Sequence, residues 1–233
     1  SAQVNLSMSP THDRIKRLES EGYIQGYVGI LDRKKIDVIY NDKITNEYIN
    51  FLVKDMPSME EINIGLDCAN GSAFDIAPKI FTKLGANISV IGNEPNGKNI
   101  NDGIGSTHTE AIVKLVKDNN LDFGFSYDGD ADRIMLVNKK GVVLDGDYII
   151  YLIGKDLKEQ GKLNNNCVIG TVMTNLGLKK ALEIENINFI ETAVGDKYVM
   201  REIDLQKASV GGEQSGHIIL PEILPTGDGI LTS

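Results

Sequence analysis

The chain has 233 residues, of which 41% are hydrophobic and 24% charged, and its formal net charge is −9. This is the composition of an ordinary globular protein, long enough for one large or two ordinary domains. Residues 1–37 carry six Lys and Arg against five acidic residues, and the rest carry 18 against 28. A basic surface typical of nucleic-acid binding is therefore missing. No apolar run approaches about 18 residues, so we expect no membrane partner and a cytoplasmic location.

The first 37 residues predict a short helical segment. Ser9 is suited to the N-cap of a helix and Pro10 to its first position, while Ile15 and Leu18 would form the inward face of that helix. These residues resemble part of the helix-turn-helix of the Lrp/AsnC transcription regulators. The resemblance is to a truncated motif, since the first helix is not matched.

From residue 42 onward the sequence predicts two consecutive α/β domains, each with a mixed sheet between helices. The first domain is expected at residues 42–160, with strands at 62–67, 86–91, 121–127, 134–138 and 142–144 and helices at 72–84, 107–118 and 147–157. Thr107 with Glu110 predicts a capping box at the start of the second helix. The Gly- and Asn-rich residues 92–105 predict an ordered surface loop.

The alternation restarts after Gly161, which predicts a second α/β domain at residues 161–233. Its expected strands are 167–171, 187–192 and 208–210, and its expected helices are 175–185 and 196–205. Cys68 and Cys167 lie beside apolar, strand-like runs, so we expect buried free thiols and no disulfide.

A distinctive group of acidic residues follows the predicted strand 121–127. Asp128, Asp130 and Asp132 alternate with Gly129 and Ala131, so in an extended loop the three carboxylates point to one side. Carboxylates without nearby His or Cys suit a hard divalent cation such as magnesium, which often shares its site with a phosphate. The sequence therefore predicts a magnesium site.

Two other interpretations of this loop are weaker. A helix-loop-helix calcium site needs Gly at its sixth position and Glu at its twelfth, where this chain has Arg133 and Lys139. A solvated acidic turn is common in an acidic chain, but here apolar strands on both sides would place the acids at the edge of a sheet.

Several motifs in order resemble the α-D-phosphohexomutases. Residues 128–133 resemble the family's metal loop, 65–72 the opening of its second domain, and 212–217 (GEQSGH) the sugar-binding loop of its third. Residues 94–97, 194–199 and 226–229 lean toward the phosphoglucosamine mutase branch. Together the matching segments run from about residue 38 to residue 233.

This resemblance implies an enzyme, an intramolecular phosphotransferase that interconverts glucosamine 6-phosphate and glucosamine 1-phosphate with Mg²⁺ as cofactor. It implies that Asp128, Asp130 and Asp132 hold the metal and that Arg133 binds the phosphoryl oxygens as a catalytic residue. Arg133 has a structural alternative as an ion pair with its own aspartates. The family's phosphoserine belongs to its first domain, which is not matched here, so we expect the isolated chain to be inactive.

The resemblance also implies a sugar phosphate as partner. Glu213 and Ser215 would bind the sugar hydroxyls in either of two orientations. His217 is predicted to contact sugar or phosphate, or else to be a buried packing residue. Lys197 is predicted to meet a phosphate, or else to be an exposed lysine.

Two alternative functions remain open at the level of sequence. The first is a phosphomannomutase or phosphoglucomutase, because the residues that would discriminate at the second sugar carbon are only partly present. The second is a DNA-binding module using residues 9–21, which the near-neutral charge of that region argues against.

Overall fold

The computed structural model describes residues 15–18, 20, 21, 42–54 and 56–233, which belong to two compact units, 1–41 and 42–233. In the first unit residues 15–18 and 20 are helical. Ile15 and Leu18, the predicted inward face, are 37% and 40% exposed. Ser9, Pro10 and most other residues of the helix-turn-helix interpretation lie outside the described part of the chain. That interpretation stays a prediction.

The second unit begins with a five-stranded mixed sheet. Its elements are α1 (Asp42–Val53), β1 (Asn63–Asp67), α2 (Ala73–Lys83), β2 (Asn87–Ile91), α3 (Glu110–Asp118), β3 (Phe123–Tyr127), β4 (Ile134–Asn138) and β5 (Val143–Leu144). The strand order is β2-β1-β3-β4-β5. β1 is parallel to both β2 and β3, whereas β4 and β5 add as an antiparallel hairpin.

A second five-stranded mixed sheet follows in the chain. Its elements are α4 (Gly146–Glu159), β6 (Cys167–Thr171), α5 (Leu176–Ile184), β7 (Asn188–Thr192), α6 (Asp196–Gln206), β8 (Gly211–Gly212), β9 (Ile218–Leu220), β10 (Leu224–Gly227) and α7 (Gly229–Thr232). The strand order is β10-β9-β8-β6-β7, with β6 parallel to β7 and β8. The fold class predicted from the sequence is therefore confirmed.

One hydrophobic core connects the two sheets. It includes Ile64 and Phe125 from the first sheet, Val168 and Ile218 from the second, and Ile150 from α4 between them. α4 packs against β4 and β5 of the first sheet and against β6 and β8 of the second. Because this helix contacts both sheets, the domain boundary placed at residue 160 remains a prediction.

Some local predictions were wrong. The predicted capping box fails because α3 begins at Glu110 after Thr109, while the Thr107 hydroxyl contacts the His108 ring at 3.1 Å (Oγ1 to Nδ1). The strand expected at 208–210 is replaced by the short β8, which pairs with β6 and β9. Helix α1, before β1, was not predicted. The thiols of Cys68 and Cys167 are free and buried, as expected.

Candidate functional site

The acidic loop, residues 128–133, joins β3 to β4 at the end of the first sheet. One carboxylate oxygen from each of Asp128, Asp130 and Asp132 lies within 4.8 Å of the other two. Ala131 has a left-handed φ of 61°, and its backbone N–H donates to the Asp128 carbonyl at 3.1 Å. This tight turn, rather than an extended backbone, brings the alternating aspartates together.

The negative charges in the acidic loop affect one another. Burial raises the pKa of Asp128 to about 6, and the neighbouring charges of Asp132 and Asp130 add to the rise, although the backbone N–H of Arg133 acts in the opposite direction. That N–H donates to Asp128 Oδ1 at 3.2 Å. The Arg133 guanidinium lies 3.9 Å from both Asp128 and Asp132 (Nε to carboxylate oxygen), and its side chain is 46% exposed. Both distances exceed hydrogen-bond length, so the guanidinium is near these two aspartates without a hydrogen bond to either.

The segment that follows β1 supports the acidic loop from one side. Ser72 donates its backbone N–H to the Gly129 carbonyl at 2.8 Å. The backbones are so close here that a Cβ atom on Gly71 would lie 2.3 Å from that carbonyl oxygen. Gly71 therefore permits a contact that no larger residue allows.

A buried carboxylate at the end of β1 organises the loops around this contact. Asp67 accepts hydrogen bonds from the backbone N–H groups of Ala69 at 3.0 Å and Gly105 at 2.8 Å, and from the Ser126 hydroxyl at 3.2 Å. Burial raises its pKa, while these three donors act in the opposite direction. Asp67 thus ties the ordered loop 92–105 to the edge of the sheet from which the acidic loop emerges.

The second sheet supports the acidic loop from the other side. Arg133 and His217 form an antiparallel β-bridge, and Ile134 donates its N–H to the Gly216 carbonyl at 3.1 Å. The His217 ring, 7% exposed as a residue, contacts Asp132 at 3.1 Å (Nδ1 to Oδ2). Gly229 also donates its N–H to the Ala131 carbonyl at 2.8 Å. His217 therefore faces the acidic loop.

A cavity of about 510 Å³ opens beside the acidic loop. Its polar and charged lining comes from Arg133, Asp145, Thr171, Glu213, Gln214 and Ser215. Met135, Met173 and Val194 supply apolar wall. The cavity therefore places the predicted phosphoryl-binding arginine and the predicted sugar-binding residues around one space.

The loop 213–216 is held by neighbours on two elements. Glu213 accepts the Gly195 N–H at 2.9 Å (Oε1), and Gln214 donates its side-chain amide to Asp145 at 3.0 Å (Nε2 to Oδ2). Lys197 is exposed and its ammonium lies over the Tyr198 ring, 4.9 Å from the centroid. Of the predicted site residues, Lys197 and His217 are thus outside the cavity lining, and the other six form the acidic loop or line the cavity.

Sequence reasoning assigned no role to Asp67, Asp145 or Gln214. Asp67 ends a buried strand, and Asp145 precedes a predicted helix, which is a typical N-cap position. Those local signals were available in the sequence. The contact between Gln214 and Asp145 joins residues 69 positions apart, and no local pattern reports it.

The fold and the acidic loop define a two-domain α/β protein with a carboxylate cluster of the kind that binds divalent cations. Two family models match it: phosphoglucomutase/phosphomannomutase α/β/α domain II at residues 39–141 and domain III at residues 145–233. The chain belongs to this family, the α-D-phosphohexomutases, and the expectation drawn from its motifs is confirmed. Phosphohexomutases are isomerases, that is, intramolecular phosphotransferases.

The curated relatives point to one branch of the family. A phosphoglucosamine mutase from Halalkalibacterium halodurans is 50% identical over 188 residues, which are 80% of this chain and 42% of the relative. The chain thus spans about two fifths of the length of the curated relatives it matches. Their shared name does not favour the phosphomannomutase, phosphoglucomutase or DNA-binding alternatives.

Solved structures share the fold. A phosphoglucomutase/phosphomannomutase family protein from Burkholderia thailandensis aligns with a TM-score of 0.71 at 22% identity, covering 81% of this chain and 42% of that chain. N-acetylphosphoglucosamine mutase from Aspergillus fumigatus, in complex with GlcNAc-6P and magnesium, aligns with a TM-score of 0.59 at 18% identity, covering 80% and 47%. No described helix is both long and apolar enough to cross a bilayer.

Proposed function

We propose that this chain supplies the metal-binding and sugar-binding loops of a magnesium-dependent phosphoglucosamine mutase, which interconverts glucosamine 6-phosphate and glucosamine 1-phosphate. The proposal depends on one observation: Arg133, the last residue of the acidic loop with its three clustered carboxylates, lines the same cavity as Glu213 and Ser215. The names of the curated relatives support the choice of amino sugar.

The carboxylates of Asp128, Asp130 and Asp132 fit magnesium in chemistry and in spacing. Magnesium binds oxygen ligands at about 2.1 Å, so opposed ligands are about 4.2 Å apart. The three carboxylate oxygens already lie within 4.8 Å of one another. Burial raises the pKa of Asp128, and the charges of Asp132 and Asp130 add to the rise, so a bound dication would favour the ionised form. Bound magnesium would neutralise charge on the transferring phosphoryl group.

Arg133 is proposed to bind the phosphoryl oxygens. Its guanidinium is partly exposed and lines the cavity, and its two contacts with aspartates are at 3.9 Å. Such long, solvent-accessible ion pairs contribute little to stability, so little is lost when the guanidinium turns toward a phosphate. A planar guanidinium can then make two parallel hydrogen bonds to the phosphoryl group.

The loop 213–216 is proposed to bind the sugar. Glu213 keeps acceptor capacity beyond the Gly195 N–H, and Ser215 can donate or accept, so together they can serve hydroxyl groups in either orientation of the sugar. Lys197, in the helix that begins next to Gly195, is proposed to meet the ligand phosphate from the exposed side. His217 is proposed to hold Asp132 in place.

Calorimetric titration with Mg²⁺ tests the metal site. We expect saturable binding to the chain and at least about a tenfold loss in the variant with Asp128, Asp130 and Asp132 all changed to Ala, since all protein ligands are removed. Asp204→Ala, at an exposed position in α6, is the matched control. Unchanged binding in the triple variant would refute the metal site.

Sugar-phosphate turnover tests the assignment of activity to the whole protein. The phosphoserine implied by the family resemblance lies outside the two matched domains, so the chain alone is expected to give no detectable isomerisation of glucosamine 6-phosphate, even with a sugar bisphosphate present. Detectable turnover by this chain would contradict that expectation, because phosphoryl transfer would then have to proceed without the family's phosphoserine.

A further inference from the structure

We propose that Asp145 binds the 2-ammonium group of an amino-sugar phosphate and so selects glucosamine phosphates over those of glucose and mannose. This inference rests on the proposed function and deepens it. Asp145 immediately precedes α4 and lines the same cavity as Glu213 and Ser215.

Two contacts fix the Asp145 carboxylate and still leave it able to accept. Its Oδ2 accepts from the Gln214 amide at 3.0 Å, and its Oδ1 caps α4 by accepting the Tyr148 N–H at 3.4 Å. An ionised carboxylate offers about four acceptor positions. At least one lone pair on each oxygen therefore remains for a donor in the cavity.

The backbone next to Asp145 is locked against the sugar-binding loop. Gly146 donates its N–H to the Gln214 carbonyl at 3.0 Å. A Cβ atom on Gly146 would lie 2.1 Å from the Glu213 carbonyl oxygen, so only glycine permits this approach. The distance between Asp145 and the sugar-binding residues is therefore set before a ligand binds, which lowers the ordering cost of recognition.

The charge of the cavity lining favours a cationic group on the ligand. The charged lining residues are two carboxylates, Asp145 and Glu213, and one guanidinium, Arg133. A second carboxylate repels the phosphate that the cavity must also admit. A hydroxyl at the second sugar carbon offsets this repulsion only weakly, whereas an ammonium offsets it by charge and makes a hydrogen bond about twice as strong. The lining therefore matches an amino sugar better than a neutral one.

The test is an NMR titration of the chain with glucosamine 6-phosphate and with glucose 6-phosphate, which share the phosphate and differ at the second carbon. We compare the wild type, Asp145→Asn and, as control, Asp204→Asn. Asn keeps the size and the capping oxygen of Asp. The wild type and the control are expected to prefer the amino sugar by about tenfold, and Asp145→Asn is expected to lose most of this preference.

The outcomes separate the two proposals. If Asp145→Asn keeps the wild-type ratio of affinities, or lowers the affinity for both sugar phosphates equally, Asp145 does not bind the ammonium group. The proposed function stands in that case. If the wild-type chain binds neither sugar phosphate, the sugar-binding role of this cavity fails and this inference fails with it. Thermal unfolding checks that the variant folds, and Asp145→Ser, which also keeps a capping oxygen, takes its place if it does not.

Discussion

The contact between Gly71 and Gly129 allows a sharp test of how the acidic loop is held. In Gly71→Ala the new Cβ would lie 2.3 Å from the Gly129 carbonyl oxygen and 2.7 Å from its Cα. Relief of this overlap needs a displacement of about 1 Å, and it breaks the 2.8 Å hydrogen bond from the Ser72 N–H. Overpacking costs about 1–3 kcal/mol and a lost hydrogen bond about 1 kcal/mol. We therefore expect the free energy of unfolding to fall by about 2–4 kcal/mol.

The same displacement is expected to weaken magnesium binding. Gly129 lies between two proposed ligands, and metal sites tolerate errors of only about 0.2 Å in ligand distance, so we expect at least about a tenfold loss of affinity. Urea unfolding and calorimetry measure the two effects. Gly161→Ala is the control, since Gly161 has φ +69° and no atom near its Cβ position; it should cost about 1 kcal/mol from backbone strain and leave magnesium binding unchanged. Wild-type stability and affinity in Gly71→Ala would refute the proposed support of the loop.

Three further predictions concern buried or capping groups. Burial raises the pKa of the Cys68 thiol to about 12 and also raises that of Cys167, so both should resist alkylation at about pH 8 until urea unfolds the chain; rapid labelling of the native chain would contradict their burial. Burial also raises the pKa of Asp67 in the folded state. The contribution of this shift to the free energy of unfolding is therefore complete below about pH 3.9 and is lost as the pH rises through the pKa of the folded state. The unfolding free energy of the wild type minus that of Asp67→Asn should therefore decrease between about pH 4 and pH 7, and an increase would show the opposite shift. Asp228 accepts from two N–H groups of α7 and from the Tyr48 hydroxyl at 2.6 Å, so Asp228→Ala should cost about 2–3 kcal/mol in urea unfolding and Tyr48→Phe distinctly less; equal costs would contradict the capping role.

Features that depend on residues close in sequence were predictable. The strands on either side of the acidic loop were predictable because both are rich in apolar and aromatic residues: β3 (FGFSY) is buried at four of five positions, and β4 (IMLVN) is buried or half-buried throughout. The convergence of Asp128, Asp130 and Asp132 was predicted from an extended loop, in which alternate side chains point to one side, but the structure reaches it through a turn. The left-handed turn at Ala131, which produces this convergence, gives no signal in the residue type.

Features created by long-range pairing were not predictable. β8 consists of two glycines, which have poor strand propensity, and it exists because β6 and β9 pair with it. The contact between His217 and Asp132 joins residues 85 positions apart, so sequence spacing could suggest neither partner. Helix α1 carries buried Ile49 and Leu52, but its β-branched and polar residues dilute the helical signal.

The β-bridge between Arg133 and His217 has a consequence for the way a substrate could be turned over. Main-chain pairing joins Arg133 and Ile134 directly to Gly216 and His217, at the end of the loop 213–216. Under the proposed function, a sugar phosphate that presents either end to the metal would have to turn within the cavity, between segments that are paired through their main chains.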